Sequence, residues 1–404
     1  MHVAEQERVI IVGAGPVGLT LALALAQQDI PVLVLEAEAA LAHDLRAGSF
    51  HPPTLDMLAP LGVTEEMLAR GYKVRRWQFR DRQQGLIVEW DLGLIADATA
   101  FPFRFHLEQH RLAHILLGKL QALPHAQVRF SHPVRAVSQD ADAVSASCEA
   151  PGGAVRFEGR WLIGADGSHS VVRKALDTDF EGFTWPEHYV VISIAYDLEQ
   201  HGFALNTYIA DPEEWAGLFK VPHHGGAGLW RIGFPVREAE SDAAALSEAG
   251  VQARLRRLLP WRDSYEVAYK SIYRVHQRVA REWRRGRILL AGDAAHLNNP
   301  LGGMGLNGGI HDAVSLADKL GRVWRGEPAS LLDLYVKQRR TSNVEFIQEG
   351  SIRNKRNLEE KDEAVRRKRY DEMRALAADP VAARQFLLKT SMIASVQRSN
   401  AITA

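Results

Sequence analysis

The chain has 404 residues, 46% hydrophobic and 24% charged, enough at roughly 150 residues per domain for two or three globular domains. Lys plus Arg and Asp plus Glu each number 49, so the formal charge is zero and nothing draws the chain toward phosphate backbones or anionic lipid. With average Gly and Pro (32 and 17), one cysteine (Cys148) and no Cys/His spacing for zinc, we expect a soluble, cytoplasmic protein. Disulfides, metals, nucleic acids and membranes are not expected.

From the N-terminus, Val9–Ala26 (VIIVGAGPVGLTLALALA) is almost wholly apolar. Its charge-balanced flanks, the lack of an A-x-A site and the glycines and proline in its first half argue against a signal peptide or membrane anchor. Val9–Val12 reads instead as a buried parallel strand, Gly13-Ala14-Gly15-Pro16-Val17-Gly18 as a G-x-G-x-x-G turn, and Leu19–Gln27 as a helix. A second strand, Val32–Leu35, ends at Glu36, 23 positions after Gly13. That is the place for a carboxylate that reaches a ribose hydroxyl. The glycines allow a tight turn, backbone approach to a pyrophosphate and close packing of helix on strand. The helix N-terminus then supplies free N–H groups and positive dipole. Together these predict dinucleotide binding, against an α/β turn with no ligand.

Strand signals follow at Lys73–Phe79 and Leu86–Trp90, a strand-like run at Pro133–Val137, then Tyr189–Tyr196, Leu205–Ile209 and Gly228–Pro235. Trp161-Leu162-Ile163-Gly164-Ala165-Asp166-Gly167-Ser168 reads as strand then turn. Arg287–Leu290 is another buried strand, leading through Gly292-Asp293 into the glycine-rich loop Asn299–Gly309 and a helix from about Ile310. This loop is a second anion or dipole site. Residues 345–379 hold nine basic and nine acidic side chains, the pattern of a solvated helix face. Phe386, Leu387, Leu388, Met392 and Ile393 are expected to dock on the dinucleotide-binding domain.

The G-x-G-x-x-G turn, Asp166-Gly167 and Gly292-Asp293, in this order and spacing, resemble the motifs of the group A flavoprotein monooxygenases, the para-hydroxybenzoate hydroxylase-like family. Arg46-Ala47-Gly48 and the Q-x-x-L-x-x-x-L run of Gln109, Leu112 and Leu116 are similar to further family segments. The resemblance spans nearly the whole chain. It implies an α/β protein in which residues 1–70, 100–180 and 270–345 build a discontinuous Rossmann-like FAD-binding domain. Residues 71–99 and 181–269 would form a sheet-rich substrate domain, with a helical segment at 346–404.

By the same resemblance, Gly13, Gly15, Pro16, Val17 and Gly18 form the turn on the FAD pyrophosphate, and Glu36 meets the adenosine ribose. Arg46 and Gln109 contact the flavin side, and Val134 is a candidate for backbone contact with adenine. Asp166 is linked to both FAD and the nicotinamide cofactor, and Asp293 to the ribityl chain. The loop from Pro300 through Gly303, Gly305, Leu306 and Asn307 lies against the isoalloxazine, with Pro300 facing the substrate ring. Helix capping stays open for Asp166 and Asp293, and a plain surface cation for Arg46.

The implied reaction uses NADPH or NADH to reduce FAD; dioxygen then adds at flavin C4a and the hydroperoxide hydroxylates a phenolic or heteroaromatic ring, in aromatic catabolism. No protein nucleophile is required, and the catalytic base is not named. Pro300, His51 and Tyr208 are candidates near the chemistry. Tyr208, Trp230, Arg231 and Pro300 are candidates for substrate contact, against ordinary sheet packing. His106 and His296 are further titratable groups, His296 read as structural. Alternatives are a polyprenylphenol ring hydroxylase of the ubiquinone type, a reductase of the same fold, or an FAD-binding scaffold without turnover. A halogenase is disfavoured because no W-x-W-x-I-P motif occurs. A monomer or homodimer is expected, without the thioredoxin-like extension of longer relatives.

Overall fold

The computed structural model describes residues 7–42, 48–223 and 226–403. Val9–Val12, buried along its whole length, pairs in parallel with Trp161–Gly164 on one side and Val32–Leu35 on the other. The sheet runs outward to Ala126–Arg129 at one edge and to Ile288–Leu290 and Arg284–Arg285 at the other. The helix Pro16–Ala26 packs on it, and so does a three-stranded antiparallel sheet of Val134–Gln139, Val144–Ala150 and Gly153–Gly159, which is why its central strands are continuous apolar runs, not alternating ones. The crossover helix starts at Pro16, not at Leu19, and runs to Ala26. Proline suits the first helical position because its missing N–H would have had no partner there. This helix is apolar all round because it is clasped between the helices Gln109–Gln121 and Gly305–Trp324.

An eight-stranded, mostly antiparallel sheet carries the second core. In spatial order its strands are His296–Leu297, Val267–Ala280, Phe180–Ile194, Leu229–Val236, Ala216–Val221, Asn206–Ala210, Arg76–Asp81 and Gly85–Asp91. Strand alternation sends Val190, Ile192, Trp230, Ile232 and Phe234 to one face, where Val251 and Leu255 of the helix Glu248–Leu258 close the core. Trp77, Phe79, Trp90 and Tyr189 occupy the other face. The run expected as one strand over Lys73–Phe79 is two: Tyr72–Val74 joins a small sheet with Arg104–His106, and Arg76–Asp81 joins the large one. Position 270 lies inside the strand Val267–Ala280, so this sheet runs on across it.

The C-terminal apolar residues dock elsewhere than expected. Phe386, Leu387, Leu388 and Ile393 pack on the Trp77–Phe79–Trp90 face of the eight-stranded sheet, not on the dinucleotide-binding core. Phe386 stacks on Trp90 with centroids 4.2 Å apart. Met392 joins Met304 and Ile347. The sheet has two apolar faces, and the helix Glu248–Leu258 covers only one of them; the tail covers the second. The helix Glu363–Ala378 shows its charged face to solvent and buries Tyr370, whose hydroxyl donates to Asp81 Oδ2 at 2.8 Å. Among the described residues, no helix is long and apolar enough to cross a membrane.

Candidate active site

Three motifs distant in sequence meet at the carboxyl edge of the parallel sheet. Gly13 has φ of +102°, and a Cβ there would lie 2.4 Å from Ala165 O; a Cβ on Gly18 would lie 2.0 Å from Gly13 O. Both positions demand glycine, one for conformation and close approach, the other for helix-on-turn packing. Gly15 differs: a Cβ there meets nothing within 4 Å. It is also the N-cap of the helix Pro16–Ala26, which has no side-chain cap and no acidic residue in its first turn. The N–H groups of that turn therefore face open space, as a pyrophosphate requires. Glu36 lies beside it, with Oε2 accepting from Ala14 N (2.6 Å) and Oε1 from Glu38 N (3.0 Å). His132 N donates to Glu36 O, which brings the strand starting at the buried Val134 close to this carboxylate.

Asp166 spends its carboxylate on capping. Oδ1 accepts from Ser170 Oγ (2.6 Å) and Oδ2 from Val171 N (2.7 Å) and Val172 N (3.2 Å), and burial pushes its pKa up. Arg173 ties this turn to the third motif, donating to Ser168 O (2.7 Å) and Ala294 O (2.9 Å). Asp293 lies exposed in the short turn Gly292–Ala294. Beneath it, Asp312 bonds His296 Nε2 (2.7 Å), Arg339 Nε (2.8 Å) and Gly292 N (3.1 Å). Burial alone would raise the Asp312 carboxyl, but His296 and Arg339 outweigh it and hold it below its ordinary value. His296 is thus a structural member of this network.

The second glycine-rich loop becomes helix earlier than its composition suggests, at Gly305 instead of Ile310. Its glycines serve packing: a Cβ on Gly309 would lie 2.6 Å from Val17 Cγ2, and one on Gly308 2.5 Å from Ile347 Cδ1. Gly305, Leu306 and Asn307 form the first turn, whose N–H groups have no acceptor within the helix. Pro300 is exposed, two residues before the tight turn at Gly302 and Gly303. The Asn307 side chain is saturated within the protein. Its Oδ1 accepts from His51 N (2.8 Å) and Thr54 Oγ1 (2.7 Å), and its Nδ2 donates to Ser49 O (2.8 Å) and Gly303 O (2.6 Å). Only its backbone is left to face a ligand.

His51 is fully buried and donates from Nε2 to Gly302 O at 2.8 Å. Burial, with the nearby Arg104 charge, lowers its pKa to about 3, and His106 is lowered to about 4 mainly by burial. Both are neutral near pH 7, so His51 acts as a positioning residue for the Gly302 turn through its single ring N–H and takes up no second proton there.

Between this loop, the aromatic face of the large sheet and the C-terminal helices lies a cavity of about 880 Å³, its open mouth included. Trp77, Phe79, Phe386 and Leu358 give it apolar walls, and Gly302 and Met304 bring in the loop. Tyr208 lies at this junction, its oxygen accepting from Gly302 N at 3.1 Å. Arg104 lies beside it, 4.8 Å above the Trp77 ring and bonded to Asn206 Oδ1 at 2.6 Å. Burial pushes its guanidinium below its ordinary pKa, while the Tyr208 oxygen works the other way.

Of the sequence candidates, the cavity gathers Tyr208 and the turn two residues beyond Pro300. It does not gather Trp230, which lies fully buried on the opposite face of the sheet with Nε1 toward Asp197 Oδ1 (3.3 Å). Arg231, its buried strand neighbour, is also not among the lining residues. Gln109 is half-buried at the first position of the helix Gln109–Gln121, with Leu112 and Leu116 in the core. Arg46 and Ala47 lie outside the described residues. Arg104, Trp77 and Met304 escape the sequence reading as site residues, and Phe386 is expected there on the dinucleotide-binding domain instead. The one local signal is a cation set within the aromatic run Phe101-Pro102-Phe103-Arg104-Phe105.

Comparison with known proteins bears on this arrangement. A family model described as an FAD binding domain matches residues 6–349. Over 388 residues the chain is 36% identical to a para-nitrophenol 4-monooxygenase of Pseudomonas sp. (strain WBC-3), covering 94% of each. Over 361 residues it is 38% identical to a 6-hydroxy-3-succinoylpyridine 3-monooxygenase of Pseudomonas putida (strain DSM 28022 / S16), covering 87% of this chain and 89% of that one. The crystal structure of p-nitrophenol 4-monooxygenase from Pseudomonas putida DLL-E4 superposes with a TM-score of 0.92 at 32% identity over 99% of both chains.

Proposed function

Because the chain belongs to the FAD-binding group A flavoprotein monooxygenases, we propose that it uses NADPH or NADH and dioxygen to hydroxylate a small phenolic or heteroaromatic ring in aromatic catabolism. It is an oxidoreductase, like the monooxygenases it matches. One observation carries the finer reading. The loop that opens the helix Gly305–Trp324 lies toward the cofactor cradle and also forms a wall of the aromatic cavity, through Gly302 and Met304. Cofactor and ring can therefore meet across a single turn of backbone. In this reading residues 1–70, 100–180 and 270–345 hold the cofactor, and 71–99 with 181–269 roof it.

FAD, when bound and reduced, supplies the dioxygen chemistry. The protein's own work is placement. Gly13, Gly15 and Gly18, with the uncapped helix start at Pro16 and Val17, hold the pyrophosphate. Glu36 offers its carboxylate to the adenosine ribose, Val134 its backbone to adenine, and Asp293 its carboxylate to the ribityl chain. Arg46 and Gln109 complete the flavin side, and Asp166 keeps its turn rigid where both cofactors pass. The first-turn amides of Gly305, Leu306 and Asn307 direct positive dipole at the flavin ring. Tyr208 receives the Gly302 N–H and so keeps its own O–H free to donate to a ring oxygen, near Pro300. Trp77, Phe386 and Leu358 flank the ring and exclude water.

The test is NADPH or NADH oxidation by the FAD-loaded protein, with and without hydroxylated aromatics, alongside oxygen uptake and product analysis. A ring compound that accelerates oxidation and is recovered with one added oxygen supports the proposal. Substrate reduction without oxygen uptake would replace it with the reductase reading.

A further inference from the structure

We propose that Gln277 and Gln348 are positioning residues for the reaction. They form a buried amide pair, seated on a π-helical turn, that fixes the backbone around Pro300 and so sets what share of the NAD(P)H consumed ends in product. This rests on the hydroxylase reading, in which Pro300 stands beside the reacting ring.

Proline has no N–H, so the loop at Pro300 is held largely through its neighbours. Asn299, fully buried, donates from N (3.1 Å) and Nδ2 (3.3 Å) to Gln277 Oε1, and its own Oδ1 accepts from Leu301 N (3.1 Å). Gln277 is 3% exposed on the strand Val267–Ala280 and donates from Nε2 to Gln348 Oε1 (2.6 Å) and Ser351 Oγ (3.0 Å). Gln348 Nε2 in turn donates to Leu297 O (3.0 Å) and Asn343 Oδ1 (3.1 Å). The two amides thus close a hydrogen-bonded ring that begins and ends on loop backbone. The Asn299 N–H only donates and the Leu297 carbonyl only accepts, so neither amide can turn over without setting like against like.

The helix that supplies Gln348 changes its winding to do so. Ser330–Ser342, Asn343–Gln348 and Glu349–Glu359 run on as one helix, wound as π over Asn343–Gln348. Such turns are rare and cluster where a side chain must be re-aimed for function. Here the π turn sets Gln348 beside Asn343, five positions back, and presents Gln348, Ser351 and Asn354 to Gln277 and the loop. Asn354 Nδ2 donates to Leu301 O at 3.2 Å, beyond the proline. One helix face therefore grips the loop on both sides of Pro300. A satisfied buried network of neutral amides adds little net stability, but it admits a single geometry. Geometry is what the reaction needs, since a displacement of about 1 Å costs on the order of 100-fold in rate.

Gln277→Met and Gln348→Met keep the shape of each side chain and remove its hydrogen bonds. The FAD-loaded full chain is supplied with NADPH or NADH and a ring that the wild type hydroxylates, 4-nitrophenol first. Each variant is expected to yield at least about twofold less hydroxylated product per NAD(P)H than wild type, the balance appearing as hydrogen peroxide. The double variant should be no worse than the worse single one, since each breaks the same ring. Gln338→Met controls for lost stability: this buried amide of the same helix run bonds Ile402 O at 2.8 Å, near the C-terminus. It should lower the melting temperature and leave the yield unchanged. Ser351→Ala, which removes one bond to Gln277, takes the place of the methionine variants if they fail to fold, with a smaller loss of yield expected. Unchanged yield, an equal loss in Gln338→Met, or losses that add in the double variant would each overturn the inference. If the wild type hydroxylates no ring, the hydroxylase reading falls, and hydrogen exchange at the Asn299 and Leu301 amides of the FAD-loaded protein decides this one. Exchange about 10-fold faster in the methionine variants sustains it, and unchanged exchange overturns it.

Discussion

Asn307→Ala is the most informative single change outside the cavity. The native amide is fully buried and makes four hydrogen bonds of 2.6 to 2.8 Å, joining Ser49, His51 and Thr54 to the Gly303 turn. Alanine removes all four at once. Thr54 keeps its contact with His311 Nε2 at 2.9 Å, but the His51 N–H and the Ser49 and Gly303 carbonyls lose a partner in a buried site. With about 1 kcal/mol net for each neutral bond and 1–3 for each stranded group, partly overlapping, the loss comes to roughly 3–6 kcal/mol. An unfolding entropy of about 2.1 cal/mol/K per residue, taken over the whole chain, turns this into a fall of about 4 to 7 °C in the melting temperature. Thermal unfolding of the apoprotein by circular dichroism measures it without the contribution of bound FAD. Equilibrium dialysis should then show FAD affinity reduced at least about 10-fold, because the turn and the first helical amides are no longer fixed. Asn307→Asp should be as harmful, since it sets a carboxylate against two carbonyl oxygens. If the alanine variant melts within about 1 °C of wild type, the clamp contributes nothing and the account of this loop is wrong.

Gly15→Ala separates folding from cofactor binding: its Cβ meets no protein atom within 4 Å, so the apoprotein should melt as wild type while FAD affinity drops about 10-fold or more. Unchanged FAD affinity, by the same dialysis, would show that the pyrophosphate does not occupy that space. Acid stability follows from His51 and His106, held at about 3 and about 4 against an ordinary 6.5. Both stay neutral in the folded protein, whereas the unfolded chain takes up their protons once the pH drops below 6.5. The unfolded state therefore binds more protons in this window, and stability falls as pH falls. The two sites together predict a loss of roughly 4 kcal/mol between pH 8 and pH 5. Urea midpoints across that range test it, and a flat profile would show that neither ring is as buried as described.

The cofactor cradle was legible in the sequence because its signals are local. A β-branched run, a glycine turn, an apolar helix and a carboxylate at the next strand end each declare themselves within forty residues. The start of the helix at Gly305 was not, because glycine-rich sequence reads as loop. Its glycines answer to Val17 and Ile347, partners that only the folded chain supplies. The cavity was legible only in part. Alternation along Leu229–Val236 shows that Trp230 and Arg231 face opposite ways, yet neither direction is marked as the one that meets the flavin loop. Tyr208 and Trp230 were thus equal candidates until the sheet was placed. Phe386 carried an apolar signal without an address, since two apolar surfaces could receive it.

The seam between Phe386 and Trp90 forms only when distant parts of the chain meet. Asp97 and Arg384, which clip the two walls together beside that stack, are 287 residues apart in the chain. The entropy of closing such a loop must be met before the contact rewards it. The pocket wall shares this demand with the dinucleotide-binding core, where Gln28 Nε2 reaches Ala317 O across 289 residues. It is also a natural unit of sub-global opening, because the tail helices can lift from the sheet while the parallel strands keep their pairing. Such opening would admit water to the ring site with the dinucleotide cradle still intact. Fidelity of oxygen transfer would then depend on how firmly the tail is latched, separately from how tightly the cofactor is held.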